Sequence, residues 1–196
     1  MRLPLLVAPL LCGLPSLALA GGLGVMATGG VHTAKSYYYD FDNKQGIDLQ
    51  VRPNAGVGIE AMLGDRDERI QGVLRMYMLA DGPVTTPDTG DLSLDEVVYP
   101  PVEDLTWEPK GVALVGIQWG LYGDPEKLEL TLTSLVGTAF VTRDLTEFLY
   151  VDVGPGVTYK LSDNLQVFGE GAFSARYRKG LSVGGNVYTG VRVLFD

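Results

Sequence analysis

Hydrophobic and polar residues alternate along most of this chain. At its end Val187, Thr189, Val191, Val193 and Phe195 share one face of an extended strand, and Asn186, Tyr188, Gly190, Arg192 and Leu194 share the other. A period of two marks a strand whose faces meet different surroundings. Upstream, Leu23, Val25, Ala27 and Val31 predict a strand over 23–33. Ala55, Val57, Ile59, Ala61 and Leu63 alternate with Asn54, Gly56, Gly58, Glu60 and Met62. That apolar parity runs back through Ile47, Leu49 and Val51, so the second strand is expected to project beyond its neighbours, bent at Pro53. A third, over 70–80, opposes Leu74, Met76 and Met78 to Gln71, Arg75 and Tyr77. A fourth, over 112–122, points Val115, Ile117, Trp119 and Leu121 outward. The fifth, over 128–142, opposes Leu128, Leu130, Leu132, Val136 and Phe140 to Glu129, Thr131 and Thr133. The sixth sends Leu149, Val151, Val153, Val157 and Tyr159 outward and Asp152, Gly154, Gly156, Thr158 and Lys160 inward. The seventh opposes Leu165, Val167 and Phe173 to Gln166, Glu170, Ser174 and Arg176.

Eight strands of this length suit tilted crossings of a bilayer. The predicted connections after the second, fourth and sixth strands (64–69, 123–127 and 162–164) are short. The polar loop 36–46 after the first and the Pro-rich stretch 81–110 after the third, with eight acidic residues, are long. A short link is predicted at 143–146, and 177–180 leads into the last strand. Pro155 lies in mid-strand and cannot donate a ladder hydrogen bond, so a bulge or local break is expected there.

Composition narrows the class. The 26 glycines, ten tyrosines and the repeated alternation point to an all-β chain, and a closed barrel is the one β form that spans lipid. Residues 1–20 read as a cleaved signal peptide: Arg2 gives a positive start, Leu5 to Leu19 an apolar core, and Ala18-Leu19-Ala20 a small-x-small cleavage site. Cys12, preceded by Leu11, is a poor fit to lipoprotein processing, and its removal leaves no cysteine for a disulfide. With 24 acidic against 15 basic residues and a net charge of −9, nucleic acid is excluded as a partner.

The ionic side chains fall on one parity. Glu60, Arg75, Gln118, Glu129, Asp152, Lys160, Glu170 and Arg192 all take the inward face. An eight-stranded barrel is only wide enough inside for side chains, so they are read as a paired structural plug. On the lipid face one such Arg or Lys would cost roughly 2 to 4 kcal/mol at the midplane. The chain's ending resembles the C-terminal insertion signal of bacterial outer-membrane barrels, with Tyr188, Gly190, Val193 and Phe195 in its places and Asp196 trailing. The turn phrase Tyr159-Lys-Leu-Ser-Asp-Asn164 before a Gly-rich strand is similar to small barrels of the OmpA and OmpX type. These resemblances cover residues 21–196 in architecture. They imply an eight-stranded antiparallel up-and-down transmembrane β-barrel in the outer membrane. Lipid and lipopolysaccharide would surround it, and the barrel-assembly machinery would be its partner during insertion.

Candidate chemistry is sparse. His32 is the one histidine, with Ser36 nearby, and it is read as solvated or interfacial rather than catalytic. Asp40-Phe-Asp42-Asn43 lacks the closing Glu of a calcium loop, so no metal or other cofactor is expected. Tyr37, Tyr38, Tyr39, Phe41, Trp107, Tyr122, Tyr159 and Phe195 lie at strand ends and suit interfacial girdles. The expected role is structural or interactive, not enzymatic, with loop 81–110 meeting an envelope partner or lipopolysaccharide. The rival readings are a lipid-modifying barrel enzyme using His32, a narrow channel, and a soluble lipocalin-type barrel with the faces reversed.

Overall fold

The computed structural model describes residues 21–39, 45–64, 68–82, 108–141, 144–177 and 181–195. Eight antiparallel strands occur in chain order: β1 (Gly21–Tyr39), β2 (Gln45–Leu63), β3 (Ile70–Asp81), β4 (Glu108–Asp124), β5 (Leu128–Val141), β6 (Asp144–Ser162), β7 (Leu165–Tyr177) and β8 (Leu181–Phe195). Each pairs with its sequence neighbours and β1 pairs with β8, which closes the barrel. Closure leaves no unpaired edge along the wall, the condition for a sheet in hydrocarbon. The segment 1–20 read as a signal peptide lies outside the described residues, as does most of 81–110.

Face assignment follows the predicted parity. Val25, Val57, Met76, Val115, Leu130, Val153, Phe173 and Val191 are exposed on the outer wall. Their inward neighbours, among them Glu60, Arg75, Asp152, Glu170 and Arg192, are buried. A soluble barrel with apolar lumen and polar exterior would show the reverse. The lumen is nevertheless not polar all round. Val73, Leu79, Val112, Leu114, Leu135 and Ala139 form one apolar cluster on the inner faces of β3, β4 and β5. The charges of β2, β3, β7 and β8 are set against this apolar half-wall.

Two local expectations are corrected. Ser36–Tyr39 and Gln45–Gly46 are strand, not loop: Ser36 pairs with Asp48, Tyr37 with Ile47 and Tyr39 with Gln45. Three successive tyrosines favour extended backbone, and the alternation of Ile47, Leu49 and Val51 continues opposite them. The hairpin thus outreaches the rest of the wall, since β8 pairs with β1 only as far as His32. The predicted link 143–146 is mostly strand as well, because Asp144 pairs with Val141 and Leu145 with Phe140. Pro53 sits opposite Val31 with no register shift along β1–β2.

Pro155 produces a break and no bulge. The β6–β7 pairing lapses between Val153–Phe173 and Gly156–Glu170 while the register stays the same. On its other side Pro155 pairs with Leu132 without interruption. The missing N–H therefore faces β7, where it leaves the Gly171 carbonyl without its ladder donor. The bulges lie elsewhere. One extra residue on β4 between Gly120 and Tyr122 turns both Leu121 and Tyr122 outward, another lies between Lys160 and Ser162, and the β5–β6 register shifts between Gly137 and Phe140. The turn at Asp163-Asn164 is tight, as its residues demand. Gly123 has φ 111°, a left-handed conformation that a side chain would strain.

Candidate functional site: the polar lumen

The strand period brings side chains from four strands to one level of the lumen. Glu60 and Arg75 are direct neighbours across β2–β3. Arg75 Nε donates to Glu60 Oε2 at 2.5 Å. Its other two nitrogens grip Glu170 in a fork, Nη1 to Oε1 at 2.9 Å and Nη2 to Oε2 at 2.6 Å. Arg192 Nε donates to the second oxygen of Glu60 at 2.5 Å. It then reaches Gln166 Oε1 at 3.0 Å and Gln118 Oε1 at 3.3 Å. Phe168 on β7 lies under both guanidiniums, 4.0 Å from Arg192 and 6.0 Å from Arg75, and the Tyr188 ring is 4.7 Å from Arg75. Two acids and two bases are thus neutralised inside a wall that excludes water, each charge held by directed hydrogen bonds.

Next to this layer runs a network of hydroxyls. Tyr188 and Ser174 both donate to Asp152. Because the Tyr188 proton is committed to Asp152, Tyr77 is the donor in the 3.1 Å contact between the two phenols. Asn186 Nδ2 donates to Tyr150, Ser174 and Tyr188 at 2.9, 2.9 and 3.1 Å. Tyr150 in turn accepts from Arg176 Nη2 at 3.0 Å. Arg176 and Lys110 share Asp81, at 3.0 Å and 2.6 Å.

Of the eight residues predicted to form the plug, Glu60, Arg75, Glu170, Arg192 and Gln118 meet in the ionic layer and Asp152 in the hydroxyl network. Glu129 and Lys160 do not join them. Both line a cavity of about 20 Å³ at the short-turn end, room for one water, and Lys160 pairs with Glu126 of the adjacent turn at 2.6 Å. The sequence reading missed Phe168, Tyr77, Tyr150 and Tyr188 as partners of these charges. The cue was the inward parity of each aromatic on a strand that also carries a buried ion.

His32 is neither solvated nor interfacial. It is 3% exposed, faces the lumen, and has its ring 6.4 Å from that of Tyr150. Its strand neighbour Gly184 makes the space: a Cβ there would press on the His32 Cα and Cγ. Neither ring nitrogen meets a hydroxyl or a carboxylate, the polar neighbour of the ring being the Asn186 amide, so no catalytic pairing is assembled among the described residues. The side chain of Ser36 and the loop 40–43 lie outside the described residues. Among the girdle candidates, Tyr122, Tyr159 and Phe195 are exposed at the short-turn ends of β4, β6 and β8. The side chains of Tyr37, Tyr38, Tyr39, Phe41 and Trp107 lie outside the described residues. Of the residues matched to the insertion signal, Tyr188 is buried in the lumen network, whereas Val193 and Phe195 face outward.

A closed eight-stranded antiparallel barrel, ionic inside and aliphatic outside, has the architecture of the OmpA/OmpX-like outer-membrane barrels. No family model and no curated protein matches the chain. Among solved structures it is similar to the Neisserial surface protein A, with 11% identity over 88% of this chain and 97% of that one and a TM-score of 0.41. It is also similar to a de novo designed protein, TMB2.3, with 12% identity, 90% and 95% coverage and a TM-score of 0.38. The third is Ail, the attachment invasion locus protein of Yersinia pestis, with 12% identity, 90% and 99% coverage and a TM-score of 0.26. No residue role is carried over from any of them.

Proposed function

We propose that this protein is a bacterial outer-membrane barrel with a structural or interaction role in the cell envelope. The observation that carries this reading is the closed wall whose outer face is aliphatic around its whole circumference while every described ionic group of the middle layer is turned inward and paired. In water such an exterior would be an aggregation surface, and in hydrocarbon it is the stable one. The short turns face the periplasm, and the β1–β2 hairpin and the 81–110 connection face outward. The acidic connection contacts a protein partner or, through divalent cations, lipopolysaccharide. The lumen is a plug rather than a path: Arg75 spans it between the carboxylates of Glu60 and Glu170, and Arg192 between Glu60 and the amides of Gln166 and Gln118. The protein is not an enzyme, and no cofactor enters the reading.

Cell fractionation tests the location. The protein is expected in the outer-membrane fraction, extracted only by detergent, with slower gel migration after boiling than before. Recovery in the soluble periplasmic fraction without detergent would end the proposal. For the loop, binding to lipopolysaccharide-containing vesicles should require divalent cations and be lost when 83–106 is replaced by a short Gly-Ser linker. Planar bilayers should show no steady conductance.

A further inference from the structure

Beside the hydroxyl network the lumen holds a second polar group that the plug does not use. On the inner face of β1, Gly30 lies between Asn54 of β2 and Asn186 of β8. Thr28 is one inward step to one side of Gly30 along the strand, and His32 one inward step to the other. All four polar residues are more than nine-tenths buried. Thr28 Oγ1 and both amide atoms of Asn54 have no partner, and the His32 ring and Asn186 Oδ1 have at most each other. The glycine admits the Asn186 side chain against the β1 backbone, since a Cβ at Gly30 would strike Asn186 Oδ1 and the Gly185 carbonyl. Four corners with free polar atoms around one bare backbone position form a cradle.

The orientation of Asn186 is fixed by its neighbours. Ser174 and Tyr188 spend their protons on Asp152, so they can only accept from Asn186. Its nitrogen must face them and its oxygen must face Gly30. An anion in the cradle would meet that oxygen. A cation would meet Arg176 and Lys110 near His32, two positive charges against the single carboxylate of Asp81 that they share, and none of the four corners is itself a carboxylate. What remains is a neutral guest that both donates and accepts hydrogen bonds. Unmet groups of this kind cost roughly 1 to 3 kcal/mol each when buried, and an internal water with about three bonds relieves them.

We propose that the cradle formed by Thr28, His32, Asn54 and Asn186 over Gly30 is a specific site for ordered water. One or two molecules bridge the three strands, so β1, β2 and β8 are joined there through water as the ionic layer joins its strands directly.

The chain has one histidine, so its ring signals are unambiguous in ¹⁵N-labelled protein made without a histidine tag and placed in lipid nanodiscs. Magnetisation transfer from water to the His32 ring N–H should be strong while the N–H itself exchanges slowly enough to be seen. Thr28→Val, close to isosteric, should weaken that transfer at least twofold. Asn54→Leu, a second probe should the first fail to fold, should do the same. Gly169→Ala, on the lipid face with nothing within 4 Å of the added carbon, should not. A visible ring N–H with no transfer from water would mean a dry site. A ring N–H lost to fast exchange would mean open solvent, and ring nitrogens that shift with Zn²⁺ and return with EDTA would mean a metal site. Any of the three overturns the proposal, as does unchanged transfer in the folded variants.

Discussion

Two levels of the same lumen treat buried polarity in opposite ways. Around Arg75, every charge is met: Glu60 serves both arginines, Glu170 takes the fork of Arg75, and Gln166 and Gln118 hold the rest of Arg192. Around Gly30, the groups are neutral, and apart from Asn186 Nδ2, from which Tyr150, Ser174 and Tyr188 accept, protein atoms leave most of their bonds unmade. The difference follows from cost. An unpaired ion in a low dielectric is intolerable and must find its partner in the wall, whereas a neutral amide or imidazole can be met by a single water. The ionic level therefore specifies which strands face one another, and the cradle tolerates exchange. Each of the following variants tests whether the two levels really differ in this way.

The largest effect should come from opening the ionic level. Arg75→Leu leaves Glu60 with one partner and Glu170 without its fork, and loss of one member of such a buried group costs about 3 to 5 kcal/mol. The urea midpoint of unfolding in lipid vesicles should fall accordingly. A drop no larger than that of a surface substitution would mean that the layer is wet and weakly coupled. The next largest is the converse experiment on the outer wall. Val57→Arg places a charge on the lipid face, where it should cost roughly 2 to 4 kcal/mol near the midplane. If Val57→Arg is neutral, hydrocarbon does not surround the barrel at that level, and the contrast between inner and outer faces loses its meaning.

Why so much of this was legible beforehand is a matter of period. A strand with two different faces declares both in its sequence, so Val25, Val57, Met76 and Val191 fell outward and Glu60, Arg75, Asp152 and Arg192 inward without any knowledge of the partner strands. What parity cannot give is distance along the axis. Glu129 and Lys160 have the inward parity but lie one level nearer the short turns, sharing a cavity with Gln118 and Gln166 without reaching the paired ions. Nor does parity survive a bulge, which is how Tyr122 comes to share the outer face with Leu121. His32 was misplaced for another reason. A strand that ended at Thr33 would put it at the rim, but β1 runs on to Tyr39 and holds His32 in the inward set with Met26 and Thr28. The loop predicted over 36–46 gives way to strand at 36–39 and 45–46, because three successive tyrosines prefer extended backbone whatever the turn chemistry of the residues that follow.

A smaller effect, of the opposite sign, is expected in the wall. Pro155→Val supplies the N–H that the Gly171 carbonyl lacks and restores the lapsed pairs of β6–β7. One added ladder bond should raise stability by about 0.5 to 1.5 kcal/mol. The amides near residues 155 and 171 should exchange more slowly with deuterium. A loss of stability instead would show that the break relieves strain between the two strands.

The smallest effect closes the comparison at the cradle. His32→Leu removes the largest of the cradle's side chains but breaks at most one weak contact, that with the neutral Asn186 amide. Leucine refills much of the volume beside Gly184, and the water released carries its bonds into bulk. The net change should be about 1 kcal/mol or less, several-fold below that of Arg75→Leu. Unfolding midpoints of the two variants in the same vesicles give that ratio directly. Equal losses would show that His32 is tied into the ionic level after all, and the two levels would then be one.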